Sequence, residues 1–313
     1  MKMKLMLFAC LAVFAGSAFA AITAGSNYVV ETFYANPHEQ ETISAFDWDD
    51  ESNLYYQTGR PDWGLGLSFY RYDGVAVSSL YTDDNAFSGG RVTAIGGRVY
   101  FKDGGTYERY TCDYYRYDPA QPAEPVNIEV LSDLYGLATR DGTDFWAAGG
   151  WSAGIHYSTL DANGDLVSNP LVNLGVIGEA SGPIAFDTNG NLYYSEGYVA
   201  ENTPAVYRWT AAEISAAIAD SAGAPLSPSG HVWATLSSGS GASGMAFDDN
   251  GHLLVTATSF IYPSELQRLF IVDGVCSGYE VLASSDLRLE NVRVRAGEIY
   301  VNSPEGIFTV APG

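Results

Sequence analysis

Lysine is almost absent from this 313-residue chain. Three occur, and two of them, Lys2 and Lys4, precede the first apolar run, so Lys102 is alone in the body of the chain. Without the first twenty residues, 13 Lys and Arg face 37 Asp and Glu, a net charge of −24. A surface so negative repels phosphate backbones and anionic headgroups, which argues against nucleic acid and charged membrane surfaces as partners. It is compatible with divalent cations, basic partners or a saline medium that screens self-repulsion, and with solubility alone. Cysteine is scarce: beyond Cys10 only Cys112 and Cys276 remain, too few for a disulfide-built scaffold. The four histidines, His38, His156, His231 and His252, show no H-x-H or H-E-x-x-H spacing, which leaves zinc and a His-based triad unsupported. No long apolar run follows the first one, so no integral membrane segment is expected in the mature chain.

The start reads as an export leader. Lys2 and Lys4 form a positive region, Leu5 to Phe14 an apolar stretch too short to anchor, and Ala18-Phe19-Ala20 a small-residue cleavage site. Leu7-Phe8-Ala9-Cys10 only faintly suggests a lipidation box, because Phe8 is bulky for that site. Residues 1–20 are therefore expected to be a signal peptide cleaved near Ala20, and residues 21–313 a single secreted domain, periplasmic or extracellular.

What the body of the chain does contain is repetition. A small or apolar strand, a polar turn, an aromatic strand, a third strand and a short fourth recur six times. The first two strands stand in "ISAFDWDDESNLYYQ", "VTAIGGRVYFK", "YGLATRDGTDFWAA", "GPIAFDTNGNLYYS", "SGMAFDDNGHLLVT" and "ENVRVRAGEIYVN". Equivalent positions Phe46, Ile95, Thr139, Phe186, Phe247 and Val294 lie 44 to 61 residues apart. Four short strands per unit of this length predict an all-β, six-bladed β-propeller with four-stranded blades. Five fourth strands lie inside the chain, but the sixth unit ends after its third strand. "YVVETFYAN" (28–36) supplies the missing one, so the last blade is expected to close three plus one, hiding two sheet edges. The longest interval holds one short inserted helix near 210–219, with Thr210 and Glu213 as a capping box and Ile214 and Ile218 on one face.

The polar clusters fall largely at strand corners. Asp187-Thr188-Asn189-Gly190-Asn191 and Asp248-Asp249-Asn250-Gly251-His252 join first to second strands, where Asn-Gly tolerates positive φ and the Asp bonds back to the turn amides. Two loops carry calcium-type oxygens: Asp47, Asp49 and Glu51 within "DWDDESN", and Asp161, Asn163 and Asp165 within "DANGDL". The second has the Asp-x-Asn-Gly-Asp spacing but no distal bidentate glutamate. Gly150-Trp151-Ser152-Ala153-Gly154 matches a nucleophile-elbow pattern, but no helix follows to support the serine. Tyrosines of "YERYTCDYYRYD" (107–118) read as inter-blade packing, with an exposed stacking surface for sugars or protein partners as the other reading. Cys112 and Cys276 fall in blades two and five, opposite each other in a six-fold ring and beyond the ~7 Å Cα reach of a bridge, so no intramolecular disulfide is expected.

"GPIAFDTNGNLYYSEG" and "SGMAFDDNGHLLV" resemble the NHL-repeat and SMP-30/gluconolactonase-like six-bladed propellers, whose blades often open Gly-(hydrophobic)-Ala-(hydrophobic)-Asp before a Gly-containing turn. The resemblance implies a divalent ion at the channel mouth, for which Glu41, Asp133 and Asn291, with Ser181 and Ser243, are the matching positions; calcium is the cofactor considered. The family's glutamate-containing entry motif is not recognisable in the first blade. Two functions are therefore expected: a secreted non-enzymatic binding or surface-assembly module for a protein or carbohydrate partner, or a calcium-dependent lactonase-like hydrolase. A propeller whose ions only stabilise the blades is a third.

Overall fold

In the computed structural model the second strand of each repeat lies inside its sheet and is largely buried along its length. The structure describes residues 22–60, 64–105, 111–132, 134–150, 153–178, 180–199, 204–237, 239, 241–258 and 263–313. The expected leader and its cleavage site lie outside them.

Six antiparallel sheets follow in chain order. Blade one runs Thr42–Trp48, Leu54–Gly59, Leu67–Tyr72 and Val77–Asp83; blade two Ser88–Ile95, Arg98–Asp103, Thr111–Tyr117 and Val126–Ser132. Blade three has Leu134–Ala138, Asp144–Gly149, Gly154–Thr159 and Val172–Val176; blade four Ile184–Phe186, Leu192–Ser195, Ala205–Trp209 and Val232–Thr235. Blade five comprises Gly241–Phe247, Leu253–Thr258, Ser264–Val272 and Val275–Ser285. Blade six has Val292–Arg295, Glu298–Ser303 and Gly306–Pro312, and Tyr28–Ala35 completes it from the other end of the chain, pairing Tyr28 with Pro312 and Ala35 with Gly306. Each innermost strand touches the next blade's around the ring, and blade six meets blade one. The fold is the expected six-bladed propeller with three-plus-one closure.

One strand was not expected. Ile22–Ala24 adds a fifth, outermost strand to blade five, pairing with Ala283–Ser285 before the chain crosses to blade six. Three residues are too few to show a period of two, so the sequence carries no pattern for it. Gly25 allows the crossing, since a Cβ there would come within 2.3 Å of the Val281 carbonyl oxygen.

The core is a set of inter-blade layers. Tyr55 and Phe69 of blade one pack on Phe101, Tyr115 and Tyr117 of blade two, with Phe69 and Phe101 stacked at 4.0 Å. The described tyrosines of the 107–118 run are thus buried packing residues. The helix Ala211–Ala219 has the expected capping box at Thr210 and Glu213 and buries Ile214 and Ala217 against Trp146 and Trp209 of blades three and four. No helix among the described residues is long and apolar enough to cross a membrane. Cys112 and Cys276 are both free thiols, the first buried and the second half-buried.

Candidate functional site

The Asp-containing corners share one geometry. In 187–191, the Asp187 carboxylate accepts from the amides of Asn189 and Asn191 at 2.9 Å each, and its second oxygen accepts from the Asn191 side chain at 2.7 Å. In 248–252, Asp248 accepts from Asn250 at 3.0 Å and His252 at 2.8 Å. In 49–53, Asp49 accepts from Glu51 at 3.0 Å and Asn53 at 2.8 Å, and its other oxygen from Asn53 Nδ2 at 2.7 Å and the Tyr55 hydroxyl at 3.1 Å. Asp161 repeats the pattern with Asn163 and Asp165. These carboxylates fold their own turns, as Asx motifs do.

Other oxygens of the calcium-type loops meet cations or donors of the protein itself. Asp47 accepts from Arg293 Nε at 3.1 Å and from the Ala94 amide at 3.0 Å, tying blade one to blades six and two. Glu51 is exposed. Around 161–165, Arg98 donates to the Ala162 carbonyl at 3.0 Å, Arg116 donates to that of Asn163, and Tyr100 donates to that of Gly164 at 2.8 Å. Arg116 also pairs with Asp165 at 2.7 Å. Guanidinium groups thus occupy the loop's oxygens.

The described residues matched to an SMP-30-type metal each bond within the protein. Glu41 accepts from Thr58 Oγ1 at 2.5 Å, in a nest where His38 stacks on Tyr70 at 4.2 Å. Asn291 is buried, its amide donating to the Phe46 carbonyl at 3.2 Å and its oxygen accepting from Arg293 at 2.9 Å. Asp133 and the elbow-pattern Ser152 lie outside the described residues. Ser181 donates to the Gly150 carbonyl at 2.7 Å. Among the described residues, no three His, Cys, Asp or Glu side chains are arranged to hold a metal ion.

A different cluster bridges the ring. Tyr135 is the second residue of the innermost strand of blade three, and Arg288 lies just before that of blade six, opposite it. Arg288 Nη2 donates to the Tyr135 hydroxyl at 2.8 Å. Arg91, on the innermost strand of blade two, stacks its guanidinium 3.8 Å above the Tyr135 ring and donates to the Tyr135 carbonyl. Ser243, from blade five, hydrogen-bonds the Tyr135 side chain. Glu290 faces both guanidinium groups, 3.8 Å from Arg288 Nε. Four blades thus contribute to one polar plug among the inner strands. Glycines let the inner strands crowd there: a Cβ at Gly136 would lie 2.5 Å from the Gly182 oxygen, and one at Gly244 2.8 Å from the Asn291 Cα.

The electrostatics of the plug are unusual for a propeller of such negative charge. Arg91 is 5 % exposed, and its Nη2 has no hydrogen-bond partner among the described residues. Tyr135, Arg288 and Glu290 keep part of their surface open. Desolvation pushes the Tyr135 phenol up, yet Arg288 and Arg91 outweigh it, with Ser243 helping and Glu290 opposing, so its pKa falls below that of an ordinary phenol. Most other shifted tyrosines go the opposite way, Tyr100 and Tyr193 up to about 12 by burial. Two guanidiniums and the Glu290 carboxylate thus surround the Tyr135 phenol. Tyr135, Arg288 and Glu290 lie within a few positions of the expected mouth residues Asp133 and Asn291, whereas Arg91 lies near none of them. Their signal was the arginine in "GGRVTAI" and the one in "DLRLENV", two of few cations in an acidic chain.

A groove of ≈ 810 Å³ also opens between blades four and five, lined by Asp187, Asn189, Tyr193, Arg208, Phe247 and Asp248 among others. Its carboxylates Asp187 and Asp248 are engaged by the amides of their own corners.

No protein-family profile and no curated protein matches the sequence. Solved structures do match in fold. The holo form of the pyranose dehydrogenase PQQ domain from Coprinopsis cinerea shares 14% identity at a TM-score of 0.63, over 94% of this chain and 98% of that one. A Trichoderma reesei carbohydrate-active enzyme of family AA12 gives 11% and 0.65, over 96% of this chain and 100% of its own. Virginiamycin B lyase from Staphylococcus aureus, in a catalytically inactive form with quinupristin, gives 10% and 0.52 over 91% and 99%. The likeness is one of fold. At such identity, chemistry has to be read from this chain's own side chains.

Proposed function

We propose that this is an exported propeller that binds a carboxylate-bearing carbohydrate at the plug formed by Arg91, Tyr135 and Arg288. The observation that carries the reading is the convergence of two guanidinium groups on one tyrosine, with Glu290 the carboxylate that faces them. Arg288, partly open, is placed to contact the carboxylate with a charge-assisted pair of hydrogen bonds. Arg91, buried beneath the Tyr135 ring, supplies charge without a direct contact. Tyrosine offers a flat face and a hydroxyl suited to a sugar ring. The negative exterior turns away polyanions that do not fit this plug. Of the functions expected from the sequence, a binding module with a carbohydrate partner is the one this geometry supports.

Titration calorimetry with D-glucuronate and D-glucose tests it. The acid is expected to bind and glucose not, and Arg288→Met is expected to weaken the acid at least tenfold, about 1.4 kcal/mol. Equal binding of both sugars, or none of either, overturns the reading. The lactonase alternative is tested in parallel: a calcium-dependent rise in melting temperature with lactone turnover lost in Glu41→Gln would establish it.

A further inference from the structure

Binding an anion does not require a tyrosine between the two arginines; a third donor would serve equally well. What the phenol adds is an ionisable oxygen held 2.8 Å from one guanidinium, with the other stacked on its ring. We propose that the plug is an elimination site, in which Tyr135 takes the proton α to a substrate carboxylate held by Arg288, and that the substrate class is a 4-linked uronate chain. This rests on the carboxylate reading above and adds a reaction to it.

The step balances without a co-reactant. The Tyr135 phenolate oxygen removes the C5 proton, and the C5–H electron pair delocalises into the carboxylate, whose growing negative charge faces Arg288 over Arg91. That pair then forms the C4=C5 double bond as the C4–O4 bond breaks with its electrons on O4. O4 takes up the proton that Tyr135 has just received, and the phenolate is restored. The products are a 4,5-unsaturated uronate at a new non-reducing end and a new reducing end whose anomeric hydroxyl carries the former O4. Water is not consumed and nothing is oxidised.

The charge arrangement times the base to the substrate. In the free protein, Arg288 and Arg91 stabilise the phenolate against desolvation and Glu290, and Ser243 assists by hydrogen bonding. When a carboxylate arrives beside Arg288, it takes over part of that positive field. The proton affinity of Tyr135 therefore rises as the C5 proton comes within reach. A single residue acting as base and then acid serves one face of the ring, so C5–H and O4 must lie on the same face. Glucuronate and mannuronate chains meet this condition; galacturonate and guluronate chains do not.

Three measurements on the full mature protein decide it. Growth of the unsaturated product at 235 nm is followed on glucuronan, polymannuronate, polygalacturonate and polyguluronate. Turnover is expected on one or both of the first two, with kcat falling about a thousandfold in Tyr135→Phe. Phenolate absorbance at 295 nm in the wild type needs no variant: one of the 22 tyrosines is expected to titrate early, and saturating glucuronate to move it to higher pH. Glucuronate binding without 235 nm product on any polymer overturns the elimination and leaves the binding reading standing. Turnover retained in Tyr135→Phe, or confined to the galacturonate and guluronate polymers, overturns the role of Tyr135. Absence of glucuronate binding overturns both readings together.

Discussion

Ser52 stands where three other corners place glycine. Its φ of 77° matches 77° at Gly164, 76° at Gly190 and 76° at Gly251, each the fourth residue of the same five-residue Asp turn. A side chain in this left-handed region costs about 1–2 kcal/mol, and Ser52 recovers part of that by accepting from Arg295 through its hydroxyl. Gly251 offers a clean test, because a Cβ there would meet nothing within 4 Å. Gly251→Ala is therefore expected to lower stability by about 1 kcal/mol through the backbone alone. Ser52→Gly should gain less than about 1 kcal/mol, since relief of strain is partly offset by the lost hydroxyl and by chain entropy. Urea midpoints at constant slope measure both. A loss of the same size in the two variants would show that the left-handed conformation is not what glycine supplies at these corners.

At the scale of elements, the chain's start fastens two blades rather than one. Ile22–Ala24 edges blade five and Tyr28–Ala35 edges blade six. Tyr28 reinforces the junction: its hydroxyl donates to Glu280 at 2.7 Å and accepts from Arg268 at 3.0 Å, both on blade five. Tyr28→Phe is expected to cost about 1 kcal/mol and about 2 °C in Tm, read by a thermal melt with unchanged far-UV dichroism. An unchanged Tm would mean that backbone pairing alone holds the junction. The second element of this fastening also marks where the sequence was readable. Tyr28–Ala35 is long, rich in β-branched and aromatic residues, and sits at the one place a missing strand was needed, whereas Ile22–Ala24 has neither length nor pattern. The same division runs through the site. Turn chemistry is local, so Asp187, Asp248 and Gly190 declared their corners in the sequence. The plug is assembled from residues 91, 135, 243 and 288, on four blades, and only ring closure brings them together. Resemblance pointed to Glu41 and Asn291, whose polar atoms bond to other parts of the protein, and to Asp133, which lies outside the described residues.

For the whole molecule, charge sets a conflict between exterior and plug. Residues 21–313 carry a net charge of −24, while Arg91 and Arg288 gather among the inner strands. An anionic ligand must cross a repulsive field before it reaches an attractive one. The repulsion extends over about 30 Å at 0.01 M salt and about 8 Å at 0.15 M, whereas the contact with Arg288 is short and partly enclosed, so salt reaches it less. Raising salt between these limits should therefore speed association of glucuronate several-fold and leave dissociation little changed, the reverse of an anion steered by a basic surface. Stopped-flow traces of the 295 nm phenolate signal, taken across that range, separate the two rates. Association that slows with salt would mean that the plug's field outweighs the surface charge at a distance, and that the acidic exterior plays no part in admitting the ligand.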